Sequence, residues 1–162
     1  MKLVPFMWLG LKFNKASTAK LKAIFIADSA GETMRKVTSI EAMVDCGLQG
    51  DRYYKKTGHG DPVEGCQVTL ISEHDLIQAR RGNSLNFDNG SHRRNLVIEG
   101  IKTKKLEGKK FRIGHALFSY EKPRPPCGYI NKIEGKGMAK ALNHNSGICI
   151  RVLRSGLLAI GD

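Results

Sequence analysis

Residues 19–27 read Ala-Lys-Leu-Lys-Ala-Ile-Phe-Ile-Ala. Polar and apolar positions alternate at first, then the run turns apolar. That pattern predicts a strand that enters a buried sheet. Ser29-Ala30-Gly31-Glu32 reads as a turn, and residues 34–44 as one or two short strands broken near Thr38-Ser39. Residues 67–71 predict another strand. Ser72 follows it with Asp75 three places on, a variant of the capping box, so a short helix is expected from Glu73 to about Arg80, with Leu76 and Ile77 facing inward. Leu96-Val97-Ile98 is a strand, and 110–113 and 116–121 are strands around the turn at Gly114-His115. A short helix over 137–142 and apolar strands over 148–153 and 157–160 complete the chain. Short strands at regular intervals with few helices predict a mainly β fold, a barrel or a sandwich.

Composition narrows this only slightly. At 162 residues the chain is expected to form one domain with a core large enough to need no staple. Its 18 glycines suit a strand-rich fold with many turns. Charge says more. Lys and Arg outnumber Asp and Glu 27 to 15, a formal net charge of +12, which attracts anions: nucleic acid, anionic lipid or a phosphorylated small molecule. The four cysteines, Cys46, Cys66, Cys127 and Cys149, form no C-x-x-C pair, so a zinc knuckle is not expected. A domain of this size needs no disulfides, and the expectation is free thiols in a reducing, cytoplasmic setting. The apolar run 3–11 is too short to span a membrane and has no A-x-A-like cleavage site after it. Residues 1–17 therefore read as a leader that packs on the domain or stays loose, with one domain over 18–162.

The candidate chemistry centres on Arg124-Pro125-Pro126-Cys127-Gly128. The two prolines stiffen the loop, and Gly128 lets a bulky group approach the sulfur. Lys122 and Arg124 are cations beside a thiol, a setting that favours thiolate, and thiolate is both nucleophile and metal ligand. The bland reading is a cysteine packed as a small hydrophobe. Gly47-Leu48-Gln49-Gly50-Asp51-Arg52 delivers Arg52 on a glycine loop, either as an oxyanion fork or as half of a structural Asp51–Arg52 pair. Arg93 and Arg94 sit at the mouth of the strand that starts at Leu96, as an anion clamp or a solvated pair. His59, among glycines, is a candidate proton donor or an ordinary loop histidine. The lysines of 102–112 are interleaved with only one aromatic residue, Phe111, and it alternates as a core residue would. They read as the exposed face of a hairpin around Glu107-Gly108, and nucleic-acid binding is not the favoured reading.

Several pieces in order resemble the MOSC domain, named for the C-terminal domain of molybdenum cofactor sulfurase. They are Gly47-Leu48-Gln49-Gly50-Asp51-Arg52-Tyr53, Val68-Thr69-Leu70-Ile71-Ser72, 93–101, 106–109, Phe111-Arg112-Ile113-Gly114, Pro126-Cys127, Gly147-Ile148, Arg151-Val152-Leu153 and Gly161-Asp162. The resemblance implies a β-strand-rich barrel of the pyruvate kinase type and one key cysteine, here Cys127. That cysteine would ligate molybdenum in a pterin cofactor or carry sulfur as a persulfide, supporting reduction of N-hydroxylated compounds or sulfur transfer to metal centres. Arg52, Arg93, Arg94, Asn95 and Arg124 would hold the anionic cofactor, and His59 would deliver protons. Cys46, Cys66 and Cys149 would be packing residues. A separate electron- or sulfur-donor protein would be the partner. The alternative is a non-catalytic basic barrel that binds nucleic acid or a protein.

Overall fold

The computed structural model describes residues 1–4, 19–56 and 66–162. Eleven strands and three α-helices are assigned among them. The strands are β1 (Lys2–Val4), β2 (Lys20–Ile26), β3 (Arg35–Val37), β4 (Ser39–Met43), β5 (Gly47–Leu48), β6 (Val68–Ser72), β7 (Leu96–Glu99), β8 (Lys110–Ile113), β9 (Ala116–Pro123), β10 (Ile148–Arg154) and β11 (Gly156–Ala159). The helices are α1 (Glu73–Arg80), α2 (Tyr129–Glu134) and α3 (Met138–Leu142). The mainly β expectation is met. The closed barrel is not: the strands form an eight-stranded sheet in the order β1-β8-β9-β10-β6-β7-β2-β3 and a three-stranded sheet in the order β11-β4-β5. Only β6 and β7 pair in parallel, and α1 lies in the connection between them.

The two sheets are tied rather than separate. β3 runs on through Thr38 into β4, and β10 runs on through Ser155 into β11. His115 N–H donates to the Leu157 carbonyl at 3.0 Å, and Ile160 N–H to that of Thr38 at 3.0 Å. One apolar core lies between the sheets and includes Leu21, Ile24, Leu70, Phe111, Phe118 and Leu158. A second lies between the other face of β2, β6 and β7 and the three helices; it includes Phe25, Ile71, Val97, Leu76, Ile130 and Met138. This double coverage is why β2 turns from alternating to continuously apolar: its first residues face one core, and its last four are buried on both sides.

Ser72 caps α1 as its spacing suggests, its Oγ accepting from Asp75 N–H at 3.1 Å. Leu76 is buried, but Ile77 is exposed, because a helix covering a sheet with one narrow stripe turns the adjacent position outward. The lysine-rich stretch is no hairpin at Glu107-Gly108: Thr103–Leu106 form a 3-10 turn, anchored by the buried Thr103 and Leu106. Phe111 is in the core, 6.1 Å from Phe118 between ring centroids. The first residues of the leader pair with β8 as an edge strand; residues 5–18 lie outside the described residues.

The free-thiol expectation holds for Cys46 and Cys127 and fails for Cys66 and Cys149, which are joined by a disulfide. β6 and β10 are antiparallel neighbours, and Cys66, two residues before β6, bonds Cys149 of β10 although 83 positions separate them. Two of the four cysteines thus give no support to a reducing compartment. Among the described residues, no helix is long and apolar enough to cross a membrane.

Candidate functional site: a thiol beside uncompensated guanidinium groups

Four loops meet at one end of the larger sheet: the loop after β5, the loop before β7, the loop from β9 to α2, and the turn before β10. Glycines make the meeting possible at two points. Gly90 has φ +84°, and a Cβ there would stand 2.7 Å from the Phe25 ring. Gly147 has φ +83°, and a Cβ there would strike the Leu70 carbonyl. Both let a loop lie directly on the sheet.

The first loop delivers Asp51, Arg52 and Tyr53. Asp51 is buried and accepts from Ala27 N–H at 3.1 Å and Tyr53 N–H at 3.2 Å. Arg52 pairs with it at 3.2 Å and donates to the Arg93 carbonyl at 3.0 Å. The structural Asp–Arg reading of this loop is therefore correct as far as it goes. The Arg52 guanidinium also lies over the Tyr53 ring, 4.5 Å from its centroid.

The second loop separates two neighbouring arginines. Arg93, at φ +60°, pairs with Glu134 of α2 at 3.1 Å and also donates to the Glu32 carbonyl. Burial pushes the Arg93 pKa down and the Glu134 pKa up, in both cases outweighing the pair's mutual attraction. Arg94 has no carboxylate partner among the described residues. Its guanidinium donates only to neutral oxygens: Ser146 O and Oγ, each at 2.6 Å, and the carbonyls of His92 and Arg124, each at 3.3 Å. Burial, followed by the repulsion of Arg124, holds its pKa at about 9; a thiolate at Cys127 acts in the opposite direction.

The third loop carries Arg124 and Cys127. Arg124 N–H donates to the Gly147 carbonyl at 3.0 Å, and its guanidinium to Tyr53 Oη at 3.3 Å. Its Nε is buried and has no partner. Burial alone would raise the Tyr53 phenol, but Arg52, Arg124 and Arg94 together pull it below the ordinary tyrosine range. Cys127 is exposed, and its carbonyl accepts from Ile130 N–H at 3.1 Å as α2 begins. The space beside Gly128 is open, as an approach to the sulfur requires.

The structure thus brings Arg52, Arg94, Arg124 and Cys127 together, with Arg93 one layer behind them in its ion pair. Asn95 has another task. Its Oδ1 accepts from Thr69 N–H at 3.1 Å and Thr69 Oγ1 at 2.8 Å, and its Nδ2 donates to the Phe25 carbonyl at 3.1 Å. It aligns β2, β6 and β7 and, at 0% exposure, presents no accessible group to an anion. His59 lies outside the described residues. Tyr53, Ser146 and His92 were not singled out by sequence reasoning. Tyr53 adjoins Arg52 in the quoted motif, but nothing local announces that Ser146, 52 positions away, holds Arg94.

Among the described residues no cluster of three or more His, Cys, Asp or Glu could hold a metal ion. Chemically, the end of the sheet offers one soft ligand, three cations and a phenol.

The fold is shared with solved structures of low identity. The YuaD protein from Bacillus subtilis superposes with TM-score 0.66 at 18% identity, covering 89% of this chain and 92% of that one. YiiM from Geobacillus stearothermophilus superposes with TM-score 0.62 at 17% identity, covering 88% and 72%. YiiM from Escherichia coli superposes with TM-score 0.55 at 19% identity; this chain spans 64% of its length. No curated protein matches the chain. The family model of the MOSC domain matches residues 55–162, most of the chain and all of the segment that carries Arg94, Arg124 and Cys127. The chain belongs to the MOSC domain family.

Proposed function

We propose that this MOSC protein holds an anionic, thiol-liganded group at Cys127, in keeping with the molybdenum–pterin cofactor associated with its family, and supports reduction of N-hydroxylated compounds. The observation that carries this reading is the buried Arg94, a cation with only neutral protein partners, next to an Arg124 whose Nε is unsatisfied. A protein does not ordinarily bury a guanidinium without a counter-charge. An anion beside Cys127 supplies that charge, and phosphate and pterin oxygens suit bidentate guanidinium donors. The residues present fit the group: Cys127 would be the thiolate ligand, Arg94 and Arg124 would hold anionic oxygens, and Tyr53 would donate a hydrogen bond or a proton. When bound, the cofactor supplies two-electron redox chemistry. The chain's own part is to orient it, neutralise it and keep the sulfur at an accessible rim. Electrons would come from a separate donor protein.

The exposure of Cys127 also favours a second reading, in which it carries sulfur without a metal. Its thiolate would attack the outer sulfur of a donor protein's persulfide. The donor would leave as thiolate, and the sulfane sulfur would remain on Cys127. Molybdenum content per chain separates the two readings. Wild type and Cys127→Ala are purified anaerobically from a host that makes the cofactor. Near-stoichiometric metal in the wild type, lost in the variant, supports the cofactor site. No metal in either, with one added sulfur on Cys127 by intact mass, supports the carrier. Neither metal nor sulfur would reject both and leave a basic domain that binds a macromolecular partner.

A further inference from the structure

The charges around Cys127 also limit which reaction its thiol can perform. The carboxylates that flank its loop in sequence are both taken: Glu121 pairs with Arg151 and Glu134 with Arg93, each at 3.1 Å. Asp51 pairs with Arg52. Among the described residues, neither Arg94 nor Arg124 pairs with a carboxylate. Arg94 is only 4% exposed, so little water screens its charge. Burial and Arg124 lower the Arg94 pKa and a Cys127 thiolate opposes them, so the two charges act on each other through space. An anion therefore needs to reach only the exposed sulfur to feel this field.

The same loop is poor in acids. Residues 122–133 contain no Asp, Glu or His that could protonate a leaving group. His92, whose Nδ1 accepts the Arg94 N–H at 3.0 Å, is fully buried. Burial, then Arg94, Arg80 and Arg52, hold its pKa at about 3, so it is neutral near pH 7 and no acid catalyst. A nucleophile set among cations without an acid suits an electrophile that is itself an anion. It also suits a leaving group that departs as a stable anion, whose growing charge the guanidinium groups stabilise.

We infer that Cys127 takes sulfane sulfur from a small inorganic dianion, thiosulfate. The Cys127 thiolate attacks the outer sulfur. The bond from that sulfur to the sulfonate sulfur breaks, and its electron pair leaves on sulfite. Thiolate and thiosulfate become a persulfide anion on Cys127 and a sulfite dianion. No proton is needed and no other reductant or oxidant takes part. Arg94 and Arg124 draw in the dianion and stabilise the sulfite as it departs. This inference rests on the sulfur-carrier reading above and names a small-molecule donor for it.

The full chain, in a Cys46→Ser background, is purified from a host unable to make the molybdenum cofactor and incubated with thiosulfate. Intact mass should show one added sulfur, absent when Cys127→Ser is also introduced. Cyanide should then remove it as thiocyanate by attacking the outer sulfur and releasing the Cys127 thiolate. Arg124→Gln reports on the field. Its rate of sulfur loading, divided by its rate with neutral iodoacetamide to correct for thiolate content, should fall about tenfold. Loading from sodium tetrasulfide but not from thiosulfate would overturn the donor and leave the carrier reading standing. Loading from neither would overturn both. Added sulfur in the Cys127→Ser chain would place the chemistry elsewhere, and an unchanged ratio in Arg124→Gln would overturn the part given to the guanidinium groups.

Discussion

Arg93 and Arg94 are adjacent in the chain and opposite in duty. Arg93 turns toward α2, where Glu134 balances its charge and the Glu32 carbonyl takes another hydrogen bond. It fastens a helix and a loop to the sheet. Arg94 turns toward the Cys127 loop, where four neutral oxygens hold its guanidinium and none cancels its charge. The difference teaches how to sort buried cations. A compensated one is accounted for by the fold. One held in place but left charged is poised for an anion that the fold does not contain.

The largest effect expected from breaking this contrast is on stability. Arg93→Ala leaves Glu134 without its partner in a mostly buried position and should cost about 2 kcal/mol, somewhat less than a fully buried pair because Glu134 keeps some contact with water. Arg94→Gln removes a desolvated charge along with its hydrogen bonds and should cost about 1 kcal/mol or less. Urea denaturation of both variants checks the order; a reversed order would mean that Arg94 is the structural residue.

A second effect appears with pH. His92 keeps a depressed pKa of about 3 in the folded chain, against an ordinary value near 6.5 when unfolded. Below that ordinary value the unfolded chain takes up a proton that the folded chain refuses. Its contribution is therefore complete above about pH 6.5 and is lost as pH falls toward 3, with a slope approaching about 1.4 kcal/mol per pH unit. His92→Gln, which keeps an acceptor for Arg94 N–H, should remove that share of the slope; an unchanged pH profile would contradict the buried neutral ring. The smallest effect belongs to Tyr53→Phe. Losing one phenol from the arginine cluster should weaken anion binding about fivefold, the worth of a single hydrogen bond, as measured by phosphate titration.

Much of the scaffold was legible because its causes are local. The alternation in 110–113 and 116–121 marks β8 and β9, and the Ser72–Asp75 spacing marks the start of α1. Helix α2 was not, because its six residues carry one buried position, Ile130, too few for a periodic signal. The site divides in the same way. Arg52, Arg94, Arg124 and Cys127 stand out by residue type and setting. Which arginine lacks a counter-charge is decided by Glu134, Ser146 and Asp51 arriving from elsewhere, and no local pattern carries that. Asn95 shows the reverse error: a polar residue next to a basic pair reads as a ligand until Thr69 and Phe25 are seen to occupy it. The Cys66–Cys149 disulfide is likewise a product of strand order, not of spacing.

The central claim, that Cys127 sits in a positive field made mainly by Arg94 and its neighbours, can be tested without any cofactor. The rates of alkylation by iodoacetate and by neutral iodoacetamide are compared in a Cys46→Ser background, which leaves Cys127 as the one free thiol. The account expects the iodoacetate-to-iodoacetamide ratio to exceed that of a simple thiol by about tenfold, a preference of about 1.4 kcal/mol for the anionic reagent. Arg94→Gln should return the ratio most of the way to the simple-thiol value. A wild-type ratio no higher than that of a simple thiol, or one unchanged by Arg94→Gln, would contradict it.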